Sequence, residues 1–293
     1  MFLRLFEMKR ANPALAVALL ATLALAAIGC GDAAEPGSVG DPLEVTFLAN
    51  EGFLLHSGDS KVLIDGLFRE GVDGYGKLTL EQRELIETAE APFNTVDYVL
   101  ATHLHDDHFN PLASCRYLNA NPLAEIITTR QAAERIEKSC NDFGKLNTRI
   151  RVGLNEDGSV GSTSLDSLVI ESIRLHHGAT SQVDNLGFRV TIGGRTIVHL
   201  GDTQVSPDEM RAAGMADKPV DIAFVPYWYM IDDDWLPAVT EVINPRLIVV
   251  MHLPPEGSRH LTTYGGWEPL VGTIKHRFKN AVVFSQPFET QIF

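Results

Sequence analysis

The chain has 293 residues, 45% hydrophobic and 21% charged, the proportions of an ordinary globular protein long enough to bury a sizeable core. Its formal net charge of -14 repels phosphate backbones at long range, which argues against a nucleic-acid substrate.

In chain order, the N-terminus reads as an export signal. Lys9-Arg10 supply positive charge, and Ala14 to Ile28 is an apolar run broken only by Thr22 and ending in small residues. That run falls short of the ~18–20 residues that span a bilayer, although a membrane-anchor helix remains the alternative. Ala27-Ile28-Gly29-Cys30 resembles a bacterial lipobox, with cleavage before Cys30 and lipid on its thiol. The expected organisation is a lipoprotein signal peptide over 1–29, lipidated Cys30 with a flexible tether to 42, and one catalytic domain over 43–293. Such a protein sits in the bacterial cell envelope, exported and membrane-anchored, in the periplasm or on the outer surface. Cys115 and Cys140 then remain as an even pair in an oxidising compartment. Spacing leaves a disulfide and two buried thiols equally open.

The domain begins with a strand at Leu43–Leu48. Phe53–His56 and Lys61–Asp65 flank Ser57-Gly58-Asp59-Ser60 as a hairpin. Gly66 to Lys77 reads as a loop, and Thr79 with Gln82 makes a capping box for a helix to about Glu90. Val96–Ala101 is apolar and β-prone. Asn110-Pro111 opens the next helix; Ala124–Thr128 is a strand and Arg130–Cys140 a helix. Asn155–Ser164 is turn-rich. Leu168–Leu175 is a strand, and Gly193-Gly194 joins strands Leu186–Ile192 and Arg195–Leu200. Ser206-Pro207-Asp208-Glu209 starts a helix that stops near Gly214. Asp221–Pro226 is a strand, Trp235–Ile243 a helix, Leu247–Met251 a buried strand, and Leu270–Phe278 a helix. Strands Ala281–Phe284 and Thr290–Phe293 follow.

Against that frame, His103-Leu104-His105-Asp106-Asp107-His108 packs three imidazoles and two carboxylates into six residues directly after a strand. Neutral imidazole and carboxylate are zinc ligands. Donors at i and i+2 on a turn can aim at one ion, while Asp107 and His108 point elsewhere and can serve a second. Four strands end in a ligand-type residue: His103, His177, Asp202 and His252. Strand ends converge on one rim of a sheet, where a rigid scaffold holds them in geometry. Asp65 also ends a strand, where it can either orient a metal-bound imidazole or cap the next turn.

These residues resemble the metallo-β-lactamase superfamily over nearly the whole domain. His103 to His108 fits H-x-H-x-D-H at every fixed position, and His177, Asp202 and His252 fit the later single-ligand loops. His177-Gly178-Ala179-Thr180-Ser181, Asn185-Leu186-Gly187-Phe188 and His199-Leu200-Gly201-Asp202-Thr203 are similar to the ascorbate-phosphate-lactonase-like branch. The resemblance implies an α/β four-layer αββα sandwich of two mixed β-sheets with the site at one edge. It implies two Zn2+ (with Mn2+ or Fe2+ as other divalent choices), one held by His103, His105 and His177. Asp107, His108 and His252 would hold the other, with Asp202 bridging. Position before Gly178 favours His177 over His176, leaving His176 packed or just behind the ligands. The related di-iron oxidoreductases carry glutamate where this chain has His105, so hydrolysis is favoured.

The expected function is therefore zinc-dependent hydrolysis of an ester, lactone or phosphodiester bond in a small-molecule substrate by hydroxide shared between the two metals. Asp107 and Asp202 would position that hydroxide. His199 faces the same rim. Tyr227-Trp228-Tyr229 either lines a substrate pocket or caps the core, and Tyr227 and His199 are guesses for the leaving-group acid. Two other classes stay open: a mono-iron oxygenase on the same fold, and a non-catalytic lipid-tethered binding protein.

Overall fold

The computed structural model describes residues 41–215 and 217–293. The export signal, Cys30 and all of the tether but its last two residues lie outside the described residues. The domain from residue 43 alternates short strands and helices.

The first sheet takes β1 (Glu44–Ala49), β2 (Gly52–Ser57), β3 (Ser60–Ile64), β4 (Tyr98–Ala101), β5 (Glu125–Thr128) and β6 (Ile150–Val152). The second takes β7 (Gly161–Leu165), β8 (Leu168–Arg174), β9 (Leu186–Ile192), β10 (Arg195–His199), β11 (Ile222–Pro226), β12 (Leu247–Met251) and β13 (Ala281–Val283). A final strand, β14 (Thr290–Ile292), returns to the first sheet and pairs with β1, giving the orders β14-β1-β2-β3-β4-β5-β6 and β13-β12-β11-β10-β9-β8-β7.

The period of two along each strand decides the layers. Val62 and Ile64 of β3, with Tyr98 and Leu100 of β4, bury against Phe188, Val190 and Ile197 of the second sheet. Their neighbours Leu63, Val99 and Ala101 face the other way, into a separate cluster. That outer cluster is covered by α1 (Leu80–Glu87), α2 (Pro111–Ala120) and α3 (Arg130–Ser139); α4 (Phe143–Leu146) is a single turn. The second sheet is covered by α5 (Pro207–Ala212), α6 (Trp228–Ile231) and α7 (Trp267–Arg277). The arrangement is the expected αββα sandwich of two mixed sheets.

Local chemistry sets the boundaries. The Thr79 capping box forms as read, with Gln82 N donating to Thr79 Oγ1 and Thr79 N donating to the Gln82 side chain. The helix ends at Glu87, three residues before the expected Glu90, because Ala89 has turned to φ +52°. Asn110 caps α2 and Ser206 caps α5 through their side-chain oxygens.

Three expectations need correction. The helix expected over Trp235–Ile243 is a wide π-type turn, Ala238–Ile243, closed by Asn244 N donating to Val239 O at 2.9 Å, with Asn244 left-handed at φ +43°. α7 begins at Trp267 and not Leu270, since Pro269 sits in the first turn where no intrahelical N–H is needed. The turn-rich segment ends in β7, an edge strand of mostly exposed small polar residues that carries little hydrophobic signal.

Cys115 of α2 and Cys140 after α3 form a disulfide with Cα atoms 5.7 Å apart, closing one of the two alternatives the spacing left open. No helix among the described residues is long and apolar enough to cross a membrane.

Candidate metal centre

β8, β10 and β12 all run in one direction. β9 is antiparallel to both β8 and β10, while β11 is parallel to β10 and β12. The loops that follow them, carrying His177, Asp202 and His252, therefore leave the same edge of the second sheet. In the first sheet β3 and β4 are parallel, so Asp65 and the loop from His103 share an edge. β2 is antiparallel to β3, so the β1–β2 turn, Asn50-Glu51, lies there too.

Three short links close this rim. Asn185 Nδ2 donates to Leu175 O at 3.1 Å and Leu200 O at 3.3 Å, tying the end of β8 to the end of β10. Leu186 N donates to Thr102 O at 2.9 Å, tying both to β4. Gly201, at φ +58°, must be glycine: a Cβ there would lie 2.6 Å from Asn185 Oδ1 and 2.9 Å from Thr102 Cβ. On the other side His252, left-handed at φ +56°, donates its N–H to Asn50 O at 3.1 Å. Such a conformation costs about 1–3 kcal/mol in a non-glycine residue and persists only where its surroundings fix it.

All seven residues of the proposed ligand set meet. His103, His105, His177 and Asp202 have donor atoms within 4.8 Å of one another, as do Asp107, His108 and His252. Asp202 lies between the two groups. Its Oδ2 is 3.2 Å from His177 Nε2 and 3.8 Å from His103 Nε2; its Oδ1 is 3.0 Å from His252 Nε2 and 3.6 Å from His108 Nε2. Asp107 Oδ2 completes the second group at 3.7 Å from both His108 and His252. His176 is exposed, and its carbonyl accepts from Gln204 N and from Thr203 Oγ1, so it is neither packed nor behind the ligands.

The donor atoms fit divalent cations. Asp202 Oδ1, His177 Nε2 and His252 Nε2 are buried and have no hydrogen-bond partner, and every donor is imidazole nitrogen or carboxylate oxygen. Burial disfavours the Asp202 carboxylate, but His252, His108 and His177 more than offset it and hold its pKa well below the usual range. Burial, then the neighbouring His108, pushes His103 well below its ordinary value, which keeps its lone pair free. Burial also opposes charge on His108, yet Asp202, Asp65 and Asp107 raise it to about 9 in the metal-free protein.

Asp65 decides which nitrogens face inward. Its Oδ1 accepts from Thr102 N at 2.8 Å; its Oδ2 accepts from Thr102 Oγ1 at 2.6 Å and His108 Nδ1 at 2.8 Å. With the Thr102 hydroxyl hydrogen committed to Asp65, its oxygen can only accept from His103 Nδ1, 3.0 Å away. One carboxylate thus orients an imidazole of each group, leaving both Nε2 atoms as acceptors. Of the two roles left open for Asp65, this is the imidazole-orienting one.

A cavity of about 420 Å³ opens over the cluster, its floor formed by His105, Asp107, Asp202 and His252. Val72, Tyr75, Leu104 and Trp228 make apolar walls, with Arg135 and Gln204 also lining it. Trp228 is held by its indole N–H donating to Thr203 O at 3.1 Å. Tyr227, 7% exposed, is not among the residues lining this cavity. His199 is fully buried behind the ligands and bonds Glu51 O through Nε2 at 3.0 Å.

Sequence reasoning missed Tyr75, whose ring meets His252 edge-on at 4.2 Å, and the Asn50-Glu51 pair. Asn50 Nδ2 donates to Asp107 Oδ2 at 3.0 Å. Glu51 is fully buried with both oxygens unpartnered; burial, then Asp202 and Asp65, raises its pKa well above the usual range. The available signal was two polar residues in a hairpin turn flanked by buried Ala49 and Phe53.

Residues 60–263 match the β-lactamase superfamily domain. The chain belongs to the β-lactamase superfamily. Among its relatives, a UPF0173 metal-dependent hydrolase of Nanoarchaeum equitans is 29% identical over 190 residues, 63% of this chain and 76% of that protein. The superfamily fold is also that of Igni18, a metallo hydrolase of Ignicoccus hospitalis (TM-score 0.59, 20% identity, 86% of this chain and 98% of that one). An isothiocyanate hydrolase from Delia radicum gut bacteria shares it as well, with a TM-score of 0.56 at 20% identity over 85% of this chain and 99% of that one.

Proposed function

We propose that this superfamily member is a metal-dependent hydrolase that binds two divalent cations, zinc foremost, and cleaves an ester, lactone or phosphodiester bond in a small molecule. The reading rests on one observation: the two oxygens of Asp202 face two separate sets of imidazoles. A pair of cations supplies an acidified water and polarises the scissile oxygen when bound. His103, His105 and His177 would hold one cation, Asp107, His108 and His252 the other, and Asp202 both. Asp107 and Asp202 also line the cavity floor, where their carboxylates would position an attacking water. Trp228, Val72 and Leu104 give an apolar group a surface to bury.

The segments His177 to Ser181 and Asn185 to Phe188 support a place near the ascorbate-phosphate-lactonase-like branch. An exported, lipid-anchored protein with Cys30 as the attachment point is the accompanying proposal. The Cys115–Cys140 disulfide favours it, because such bonds persist in oxidising compartments. Labelling with a palmitate analogue that depends on Cys30 tests the anchor.

The hydrolase test is metal analysis of the purified protein coupled to a panel of esters, lactones and phosphodiesters, with and without chelation. Two equivalents of metal and chelator-sensitive turnover are expected, and Asp202→Asn should lose both. Protein that holds no metal, or hydrolyses nothing when loaded, overturns the reading.

A further inference from the structure

We propose that Arg135 makes this cavity selective for substrates carrying an anionic group, a carboxylate or phosphate, at the end remote from the scissile bond. The inference rests on the hydrolase reading above and names the substrate class of that same site.

Apart from the imidazoles of the ligand cluster, Arg135 is the only basic side chain among the residues lining the cavity. It is also unusual in having no partner. Among the described residues every arginine except Arg130 and Arg135 is paired with a carboxylate or a backbone carbonyl. The chain carries 38 acidic residues against 24 basic ones, so an arginine left free by so many carboxylates stands out.

Its direction is set by the helix that carries it. Four residues earlier on α3, Gln131 Nε2 donates to Gln182 O at 2.8 Å and Gln131 Oε1 accepts from Asp184 N at 3.0 Å. Both partners belong to the loop that also carries His177, so this face of α3 is pinned against the metal rim. Positions i and i+4 share a helix face, which brings Arg135 to the cavity. The guanidinium is permanently charged and forked, and matches a planar carboxylate or a phosphate with two parallel hydrogen bonds.

The other wall residues ask for the rest of the substrate. Val72, Leu104 and Trp228 suit a short apolar spacer between the anion and the bond to be cleaved. Asp106, also on the lining, disfavours a second negative charge close to the metal loop.

The test compares three esters of the same leaving group on metal-loaded protein: 4-nitrophenyl butyrate, mono-4-nitrophenyl succinate and 4-nitrophenyl 3-phosphonopropionate. Wild type should favour the charged esters in kcat/KM, and the better of the two tells carboxylate from phosphate. In Arg135→Gln the charged-to-neutral ratio should fall about 10–100-fold through KM, the scale of a hydrogen-bonded charge pair. Arg135→Lys should recover only part of it, and Arg135→Glu should reverse the preference. Metal content and melting temperature, measured alongside, separate this from a folding defect. Calorimetric binding of succinate and 3-phosphonopropionate to wild type and R135Q gives a readout that needs no turnover. Equal use of charged and neutral esters, or a ratio and anion affinity unmoved in R135Q, overturns the proposal while leaving the hydrolase intact. Absence of turnover with all three, together with anion binding that R135Q abolishes, overturns the hydrolase reading alone.

Discussion

Replacing Asp65 by Asn changes one oxygen to an N–H2 and should cost metal affinity while sparing the backbone. Residue 65 sits at φ +44°, a conformation asparagine accepts as readily as aspartate, so no strain is added. The amide then has two choices. It can keep its oxygen on Thr102 N and offer N–H2 to the Thr102 hydroxyl and to His108 Nδ1. His108 must then carry its proton on Nε2, the atom that faces the second ligand group. The freed Thr102 hydroxyl can likewise donate to His103 Nδ1 and turn that imidazole the same way. Alternatively the amide flips, keeps both imidazoles correct, and sets N–H2 against the buried Thr102 N–H. An unsatisfied buried donor costs about 1–3 kcal/mol. Metal binding admits only the second arrangement, so the metal-bound state bears that cost, equivalent to a loss of about 10–100-fold in affinity. Competition against a chromophoric chelator measures it, and Thr102→Val should weaken only the group containing His103. Affinity in D65N within twofold of wild type would refute this account of the hydrogen-bond network.

Metal uptake should depend on pH in a direction fixed by His108. Its pKa in the metal-free fold is raised to about 9. It therefore holds a proton below that pH, which stabilises the metal-free fold fully below about 6.5 and less and less as pH climbs through 9. A cation must displace this proton, so apparent affinity should rise about tenfold per pH unit between 7 and 9. Calorimetry in buffers of different ionisation enthalpy should count at least one proton released; none released contradicts it. The Cys115–Cys140 bond spans 25 positions, and closing a loop of that size stabilises by about 3–4 kcal/mol on the chain-entropy account. Cys115→Ala/Cys140→Ala should melt at a clearly lower temperature, and alkylation of the wild type should need reductant. Trp228→Ala should raise KM for aromatic esters up to about tenfold with metal content unchanged, the scale of one ring–ring contact. Equal KM values for aromatic and aliphatic esters in both proteins would remove Trp228 from the pocket.

Strands β1 to β5 and β8 to β12 were legible because their buried faces alternate or run continuously apolar. The seven clustered donors were legible because divalent-cation chemistry restricts residue type and because they follow strands. Asn50, Glu51 and Tyr75 were not. They reach the rim through strand direction and a long loop, and neither leaves a trace in local spacing. Arg135 looked like any charge on an amphipathic helix, since its meaning comes from the partner it lacks. The π-type turn before Asn244 escaped notice because its apolar spacing also fits a regular helix.

The three donors of the second sheet hang from alternate strands, with β9 and β11 between them supplying no metal-type donor. Neighbouring strands lie about 4.8 Å apart, so each donor loop starts nearly 10 Å from the next. Away from the Asn185 link and the donors themselves, a loop at that separation can lengthen, shorten or change its side chains without moving the strands that carry the others. Diversification of substrate range on this architecture is thus mechanically cheap: new recognition can be grafted beside a fixed reactive centre one connection at a time.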